Sequence, residues 1–267
     1  MSRTTWVAAK VRRLPAACRA WAQTAAQTGI NLVYPPQCTF CDEEIAPPDD
    51  GILLCGKCRG QLHPPRSATC PRCGAVLAGS AGDAKCCAAC RDANFQFRTV
   101  VALGRYRDDL RESVLKMKQP AGEPLALAMG RLLAQERRAE LQSLAASIIV
   151  PIPMHWTRRL ARGTNSPEQL AGCLGRAMKL RIARRALVRS RRTPPQTMLP
   201  PEHRAENVRG AFRLARGRDL RGARVLLVDD VLTTGSTASE AAKVLRRGGA
   251  ADVTVAVVAR ADGFGRP

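Results

Sequence analysis

The sequence predicts a mostly parallel α/β domain with flanking helices, preceded by a small cysteine-rich metal module. Three observations predict it. Nine of the eleven cysteines fall between Cys38 and Cys90, mostly as C-x-x-C pairs. Beyond residue 97, short aliphatic runs alternate with helical segments, and strands alternating with helices need crossover connections, hence a parallel sheet. One aliphatic run, 225–228, ends in two acids and then a loop of small hydroxyl residues that opens a helix. Open parallel sheets place ligand sites at such strand ends.

Composition narrows the class. The 267 residues are 45% hydrophobic and 24% charged, the balance of a globular chain long enough for one large domain or two ordinary ones. Aromatics are 4%, so the core is aliphatic. No run of about 18 apolar residues occurs, so no transmembrane segment is expected. The formal charge of +21 calls for an acidic partner or substrate: nucleic acid, anionic lipid or a phosphorylated small molecule. The plainer account of that charge is a generally arginine-rich set of solvated faces. C-x-x-C pairs in a chain without a secretory signal read as metal binding in a reducing compartment, which implies a cytoplasmic protein.

Residues 1–37 hold no acid but include Arg3, Lys10, Arg12, Arg13 and Arg19. A secretory signal needs a continuous apolar core, which Arg19 and Gln23 interrupt. An organelle transit peptide also fits the composition; the favoured expectation is a basic amphipathic helix that docks on the protein or a partner. Further on, a strand is expected at 100–103, a helix at 108–118 with acids first and lysines last, a second helix at 125–144 and a strand at 147–152. Residues 165–178 read as a helix and 186–188 as a short strand. The Pro-, Arg- and Gln-rich stretch 189–209 reads as a long surface loop able to close over a site. A buried strand at 224–228, a helix at 236–247 and a strand at 253–259 complete the order.

Spacing makes the cysteine block a duplicated metal site. Cys38, Cys41, Cys55 and Cys58 form C-x2-C-x13-C-x2-C, and Cys70, Cys73, Cys87 and Cys90 repeat it, each displaced from its counterpart by the same interval. The repeat selects Cys87 over Cys86. Four thiolates on two knuckles suit a tetrahedral zinc ion and leave no open position, so both sites are structural. Iron–sulfur clusters also use four thiolates, with other spacings. Gly74 suits the tight knuckle turn. His63 is read as a surface residue because both ligand sets are complete, and Cys173 as a small core residue.

The segment 224–237 reads RVLLVDDVLTTGST. A helix N-terminus offers free N–H groups and a positive dipole end for a phosphate. Thr233, Thr234, Ser236 and Thr237 add hydroxyl donors, and Gly235 permits close backbone approach. Asp229 and Asp230 repel phosphate but suit vicinal hydroxyls or a magnesium ion shared with phosphate oxygens. Together they describe a sugar-phosphate site, weighed against an ordinary capped strand-to-helix turn.

This segment resembles the phosphoribosyl pyrophosphate signature of type I phosphoribosyltransferases. With the paired zinc sites and the run Ile149-Val150-Pro151-Ile152-Pro153, nearly the whole chain from about residue 31 resembles the ComF/GntX family. Shared blocks include Tyr34-Pro35-Pro36-Gln37-Cys38, Tyr106 to Arg111 with Lys116 and Lys118, His155-Trp156 leading to Arg162-Gly163-Thr164-Asn165, and Arg192 with Gln196, Arg204 and Asn207. Thr164 stands where the family usually has an aromatic residue, so no stacking role is carried over there.

The resemblance implies a type I phosphoribosyltransferase-like domain over 96–267, a double zinc ribbon over 34–95 and a basic helix over 1–33. It implies that Asp229 and Asp230 hold ribose hydroxyls, that Thr233, Thr234, Gly235, Ser236 and Thr237 hold the 5′-phosphate, and that Arg158 and Arg159 serve a pyrophosphate loop. Phosphoribosyl pyrophosphate with magnesium is the implied ligand, displacement of pyrophosphate the implied reaction, and two structural zinc ions the implied metals. No general base stands out; His155 and His203 qualify only by type. The family's link to natural competence adds single-stranded DNA and a competence helicase as expected partners, or a non-catalytic role in which the pocket senses its ligand.

Overall fold

A computed structural model describes residues 34–63, 68–77, 93–154, 165–191 and 203–261, with Asn31, Cys86, Cys87, Cys90, Thr193 and Pro200. The expected N-terminal helix, Arg158, Arg159 and His155 lie outside the described residues. Five strands form one parallel sheet in the order β1 (Val100–Arg105), β7 (Asp252–Arg260), β6 (Arg224–Leu232), β2 (Ile148–Pro151) and β3 (Arg181–Ile182). A separate antiparallel pair joins β4 (Leu187–Arg189) to β5 (Phe212–Leu214).

Alternation along β6 explains the layers. Leu226 and Val228 face one apolar cluster and Val225 and Leu227 the other, as a strand covered on both sides requires. On the first face lie α2 (Asp108–Met117), α3 (Glu123–Glu136) and α5 (Ser166–Met178), through Val114, Met117, Leu132 and Leu170. The second face is covered by α7 (Ser236–Arg247), through Ala238, Ala241 and Leu245, and by Phe212 of β5. Cys173 is buried between α5 and α3, as expected of a small core residue. Among the described residues no helix is long and apolar enough to cross a membrane.

Several boundaries differ from expectation. The helix expected at 125–144 is two helices, α3 and α4 (Arg138–Ser143), because the backbone leaves helical angles at Arg137. Within the loop expected at 189–209, α6 (His203–Val208) forms a short helix. Most consequentially, β6 does not end at the acids. It pairs with β7 as far as Leu232 opposite Arg260, so Asp229 and Asp230 lie inside the strand.

The cysteine block is a structural repeat as well as a sequence repeat. Gln37 bridges Glu44, and at the equivalent positions of the second copy Thr69 bridges Val76. The Cys38 N–H donates to the Glu43 carbonyl (2.8 Å) and the Cys70 N–H to the Ala75 carbonyl (2.7 Å). Each knuckle turns through a left-handed residue, Asp42 (φ 63°) in the first and Gly74 (φ 69°) in the second. A short helix, α1 (Gly56–Leu62), carries Cys58. His63 at its end is half-buried rather than on the surface, with Nδ1 3.4 Å from Glu136.

Both thiol sets fit zinc. A tetrahedron with Zn–S near 2.3 Å places sulfurs about 3.8 Å apart. Cys41 and Cys55 are separated by 3.8 Å, Cys73 and Cys87 by 3.7 Å, and Cys70 and Cys90 by 3.9 Å. Burial raises the Cys38 thiol, but backbone N–H groups of Cys55, Cys41 and Phe40 outweigh it and bring it down to about 7. Cys70 reaches about 7 by the same balance, with N–H groups of Cys87, Cys73 and Arg72. Hydrogen bonding thus favours the thiolate at one cysteine of each set, while burial pushes Cys58, Cys73 and Cys90 up, so a bound cation is what would hold the remaining sulfurs as thiolates.

Packing and metal chemistry each yield a prediction. A Cβ at Gly130 would stand 2.9 Å from the Cys173 Cβ, whereas one at Gly172 meets nothing within 4 Å. Gly130→Ala should lower the urea midpoint, costing about 1–3 kcal/mol from overpacking, while Gly172→Ala should raise stability by about 1 kcal/mol through helix propensity. Elemental analysis should find two zinc ions per chain, falling to one in Cys58→Ser and in Cys90→Ser. Chelation should unfold the ribbons, since a structural zinc site supplies on the order of 10 kcal/mol of folding free energy.

Candidate functional site

The site grows from the C-terminal end of β6, which stays paired with β7 to Leu232 after β2 has ended opposite Val228. β2 ends beside it, with the Ile152 N–H donating to the Val228 carbonyl (2.8 Å), so the chain leaves β2 next to the acids. Asp229 is half-buried and Asp230 is 8% exposed. Neither side chain is packed away against apolar neighbours alone.

Two consecutive carboxylates at low exposure need cations. Lys118, which caps α2, places Nζ 3.3 Å from Asp230 Oδ2. Asp229 Oδ1 accepts from the Asp230 N–H (2.9 Å). Burial, followed by the Asp230 charge, pushes the Asp229 carboxyl up to about 8, against the opposing pull of that N–H, Lys118 and Arg189. Arg189 comes from the end of β4, where its guanidinium bonds the Thr193 hydroxyl and lies 5.4 Å from the Phe212 ring centre. Lys118 thus meets the acid pair directly, and Arg189 brings a second positive charge to bear on it.

Beyond Leu232 the chain turns into α7. Gly235 (φ 76°) takes the left-handed conformation at its N-cap, where no side chain caps the helix. The first intrahelical bond runs from the Ser239 N–H to the Gly235 carbonyl (2.8 Å), which leaves the first-turn amides for another acceptor. Ser236 spends its N–H only weakly, at 3.5 Å from Thr234 Oγ1, and the hydroxyls of Thr234 and Ser236 lie 2.9 Å apart. This turn can hold an anion, while the adjacent carboxylates can hold hydroxyls or a divalent cation.

Asp229, Asp230, Thr233, Thr234, Gly235, Ser236 and Thr237 thus fall in one strand–turn–helix segment. Sequence reasoning missed three basic residues around them. Lys118 reads as a helix C-terminal cation, Arg189 as the edge of a loop, and Arg260 as the end of a strand. A signal existed for the last: one charge closes the otherwise apolar run 253–259. In the structure Arg260 is 2% exposed and bonds the carbonyls of Thr233 (2.8 Å) and Leu232 (3.1 Å). The eight cysteines of the two ribbons are the other metal-holding residues, and within each set the sulfurs lie within 4.8 Å of one another.

Comparison with known proteins agrees with this architecture. The double zinc ribbon domain family matches residues 29–93 and the phosphoribosyl transferase domain family residues 170–263. DNA utilization protein YhgH of Salmonella typhimurium is 30% identical over 227 residues, covering 84% of this chain and 96% of that protein. Competence protein F of Haemophilus influenzae is 28% identical over 221 residues, covering 78% and 96%. Adenine phosphoribosyltransferase of Mycobacterium avium is 54% identical over 44 residues, 16% of this chain and 24% of that enzyme. With its ribbons, its parallel sheet and relatives matched over nearly their full length, the chain belongs to the ComF/GntX family, the family of YhgH and competence protein F.

Proposed function

We propose that the chain binds phosphoribosyl pyrophosphate with magnesium at the tip of β6 and transfers its phosphoribosyl group to a nitrogen nucleophile. One observation carries this reading: a carboxylate pair met by Lys118 and an uncapped helix N-terminus share a single strand–turn–helix segment. Asp229 and Asp230 would take the ribose hydroxyls and the magnesium ion. Thr233, Thr234, Gly235, Ser236 and Thr237 would take the 5′-phosphate, and Arg158 and Arg159 the pyrophosphate. Magnesium would supply positive charge to the departing pyrophosphate.

In the transfer, the bond from C1 to the pyrophosphate oxygen breaks and keeps its electron pair on the leaving group. The nitrogen lone pair forms the new bond to C1, and that nitrogen then loses its proton. The protein's contribution is alignment and exclusion of water, with positive charge from Lys118 and Arg189 close by.

The formal +21 supports a second reading, association with single-stranded nucleic acid, and two relatives carry names that refer to DNA utilization and competence. A helicase partner belongs to that reading, and the same pocket would then sense its ligand without turning it over.

Saturating phosphoribosyl pyrophosphate with magnesium should raise the melting temperature; at one hundred times Kd the gain is about 2.7 kcal/mol. Asp229→Asn combined with Asp230→Asn should abolish it, and an unresponsive parent protein would remove both pocket roles. Pyrophosphate release in a screen of nitrogenous bases separates an enzyme from a sensor.

The acid pair also predicts a pH dependence. Asp229 ionises near 8 when folded and near the ordinary value of 3.8 when unfolded, so between these pH values the folded state holds more protons. Stability should therefore fall as pH rises from 4 towards 8, and Asp229→Asn should flatten that slope in urea titrations. Affinity for single strands, if present, should weaken with salt by about 0.7 logarithmic units per decade for each phosphate neutralised. Absence of binding at low salt would remove the nucleic-acid role.

A further inference from the structure

Arg260 joins two parts of the molecule that lie far apart in sequence. It closes β7 opposite Leu232 and is 2% exposed. Its Nε donates to the carbonyl of Cys73 (2.8 Å). Its Nη1 donates to the carbonyls of Thr233 (2.8 Å), Leu232 (3.1 Å) and Ala261. One guanidinium therefore spans from a residue of the second thiol cluster to the first residue of the turn at 233–237.

Both ends of that span are constrained. Cys73 contributes its sulfur to the cluster with Cys70, Cys87 and Cys90, so a metal closing that cluster would restrain the knuckle that carries its carbonyl. At the other end, successive carbonyls of a strand ordinarily point to opposite sides. Those of Leu232 and Thr233 instead converge on one nitrogen. A trans peptide sets its N–H opposite its C=O. Turning both carbonyls towards Arg260 turns the N–H groups of Thr233 and Thr234 away from it, and orients the backbone just ahead of Gly235.

We propose that Arg260 is a positioning residue through which zinc at Cys70, Cys73, Cys87 and Cys90 and a phosphate at 233–237 bind cooperatively. The zinc-closed knuckle holds the Cys73 carbonyl, that carbonyl orients the guanidinium, and the guanidinium sets the turn. The phosphate half rests on the reading of 233–237 given above. Coupling is reciprocal: whatever factor zinc adds to phosphate affinity, the phosphate ligand adds to zinc affinity at that one site.

The test uses the full chain carrying two zinc ions and follows release of each to a zinc-selective colorimetric chelator, with and without phosphoribosyl pyrophosphate and magnesium. One of the two ions should leave about fivefold or more slowly with ligand present, the lower end of ordinary coupling, and Arg260→Lys should bring that difference close to unity. Equal release with and without ligand, in a sample whose melting temperature the ligand raises, overturns the coupling. This arm needs no substitution, so a variant that fails to fold does not blunt it.

A ligand-free arm separates failure of the clamp from failure of the ligand assignment. Hydrogen exchange at the Thr233 and Thr234 amides should be about tenfold faster or more in zinc-loaded Arg260→Lys than in the parent, a local loosening without global unfolding. Unchanged exchange overturns the clamp. Faster exchange in a protein that ignores phosphoribosyl pyrophosphate supports the clamp and sinks the ligand reading alone.

Discussion

Two carboxylates on consecutive residues of a central strand repel each other, and much of this molecule is arranged to hold them in place. The backbone that carries them cannot move them apart, because it stays paired with β7 from Val228 opposite Ala256 to Leu232 opposite Arg260, past the point where β2 ends opposite Val228. The repulsion is instead met by charge brought from elsewhere: Lys118 from the end of α2 and Arg189 from the end of β4. Burial still leaves Asp229 far easier to protonate than an ordinary aspartate. A group left in that state binds most strongly whatever supplies positive charge and donors together, which a magnesium-bound diol does.

The zinc ribbons bear on this arrangement in two different ways. The first ribbon shares the main core, with Phe40, Ile52, Leu54 and Leu62 buried alongside residues of α2 and α3. Lys116 of α2 donates to the Phe40 carbonyl (2.9 Å) and lies 4.6 Å from the Phe40 ring centre, just ahead of the lysine that meets Asp230. Among the described residues the second ribbon has a small cluster of its own, Cys70, Cys73 and Cys90 with Leu77 and Phe95 against them. Among those residues it meets the domain through Phe95, which stacks on Phe97 of the second apolar cluster, and through hydrogen bonds from Thr99 to the Pro71 carbonyl and from Arg260 to the Cys73 carbonyl. Hydrophobic attachment is tolerant of small displacements, whereas hydrogen bonds lose strength steeply with angle and distance. These hydrogen bonds are therefore the contacts through which the second ribbon's internal order would reach its neighbour.

How much of this was legible in the sequence depends on the range of the interaction. The thiol sets were legible because four ligands on two knuckles impose a spacing, and its repetition in the same register fixed the choice of Cys87 over Cys86. The strand and helix order was legible from aliphatic runs such as 225–228 and from the amphipathic 236–247 helix, whose bounds the structure reproduces. The break at Arg137 was not, because a single residue leaving helical angles changes no hydrophobic pattern. The extension of β6 to Leu232 was missed for a related reason: acids argue for a strand end, but backbone pairing with β7 overrides side-chain preference. The roles of Lys118 and Arg189 lay beyond reach, since each acts on a segment far from it along the chain, whereas Arg260 was marked as a lone charge closing a strand. Nothing local distinguishes a lysine that caps a helix from one that also finds a carboxylate.

Placement of the acids inside the strand rather than past its end changes what the site can do. A loop carrying two carboxylates would relax when a ligand left, and each binding event would spend free energy on reordering it. Here the backbone between Asp229 and Leu232 is already ordered by its neighbours, and Arg260 extends that order one residue further, to Thr233. What remains adjustable is the short stretch from Thr234 to Ser236, where one left-handed glycine and two hydroxyls 2.9 Å apart carry the turn. On the proposed reading, a rigid half would meet the hydroxyls and the turn that follows would meet the phosphate. The two halves meet at the residue whose carbonyl the buried arginine holds.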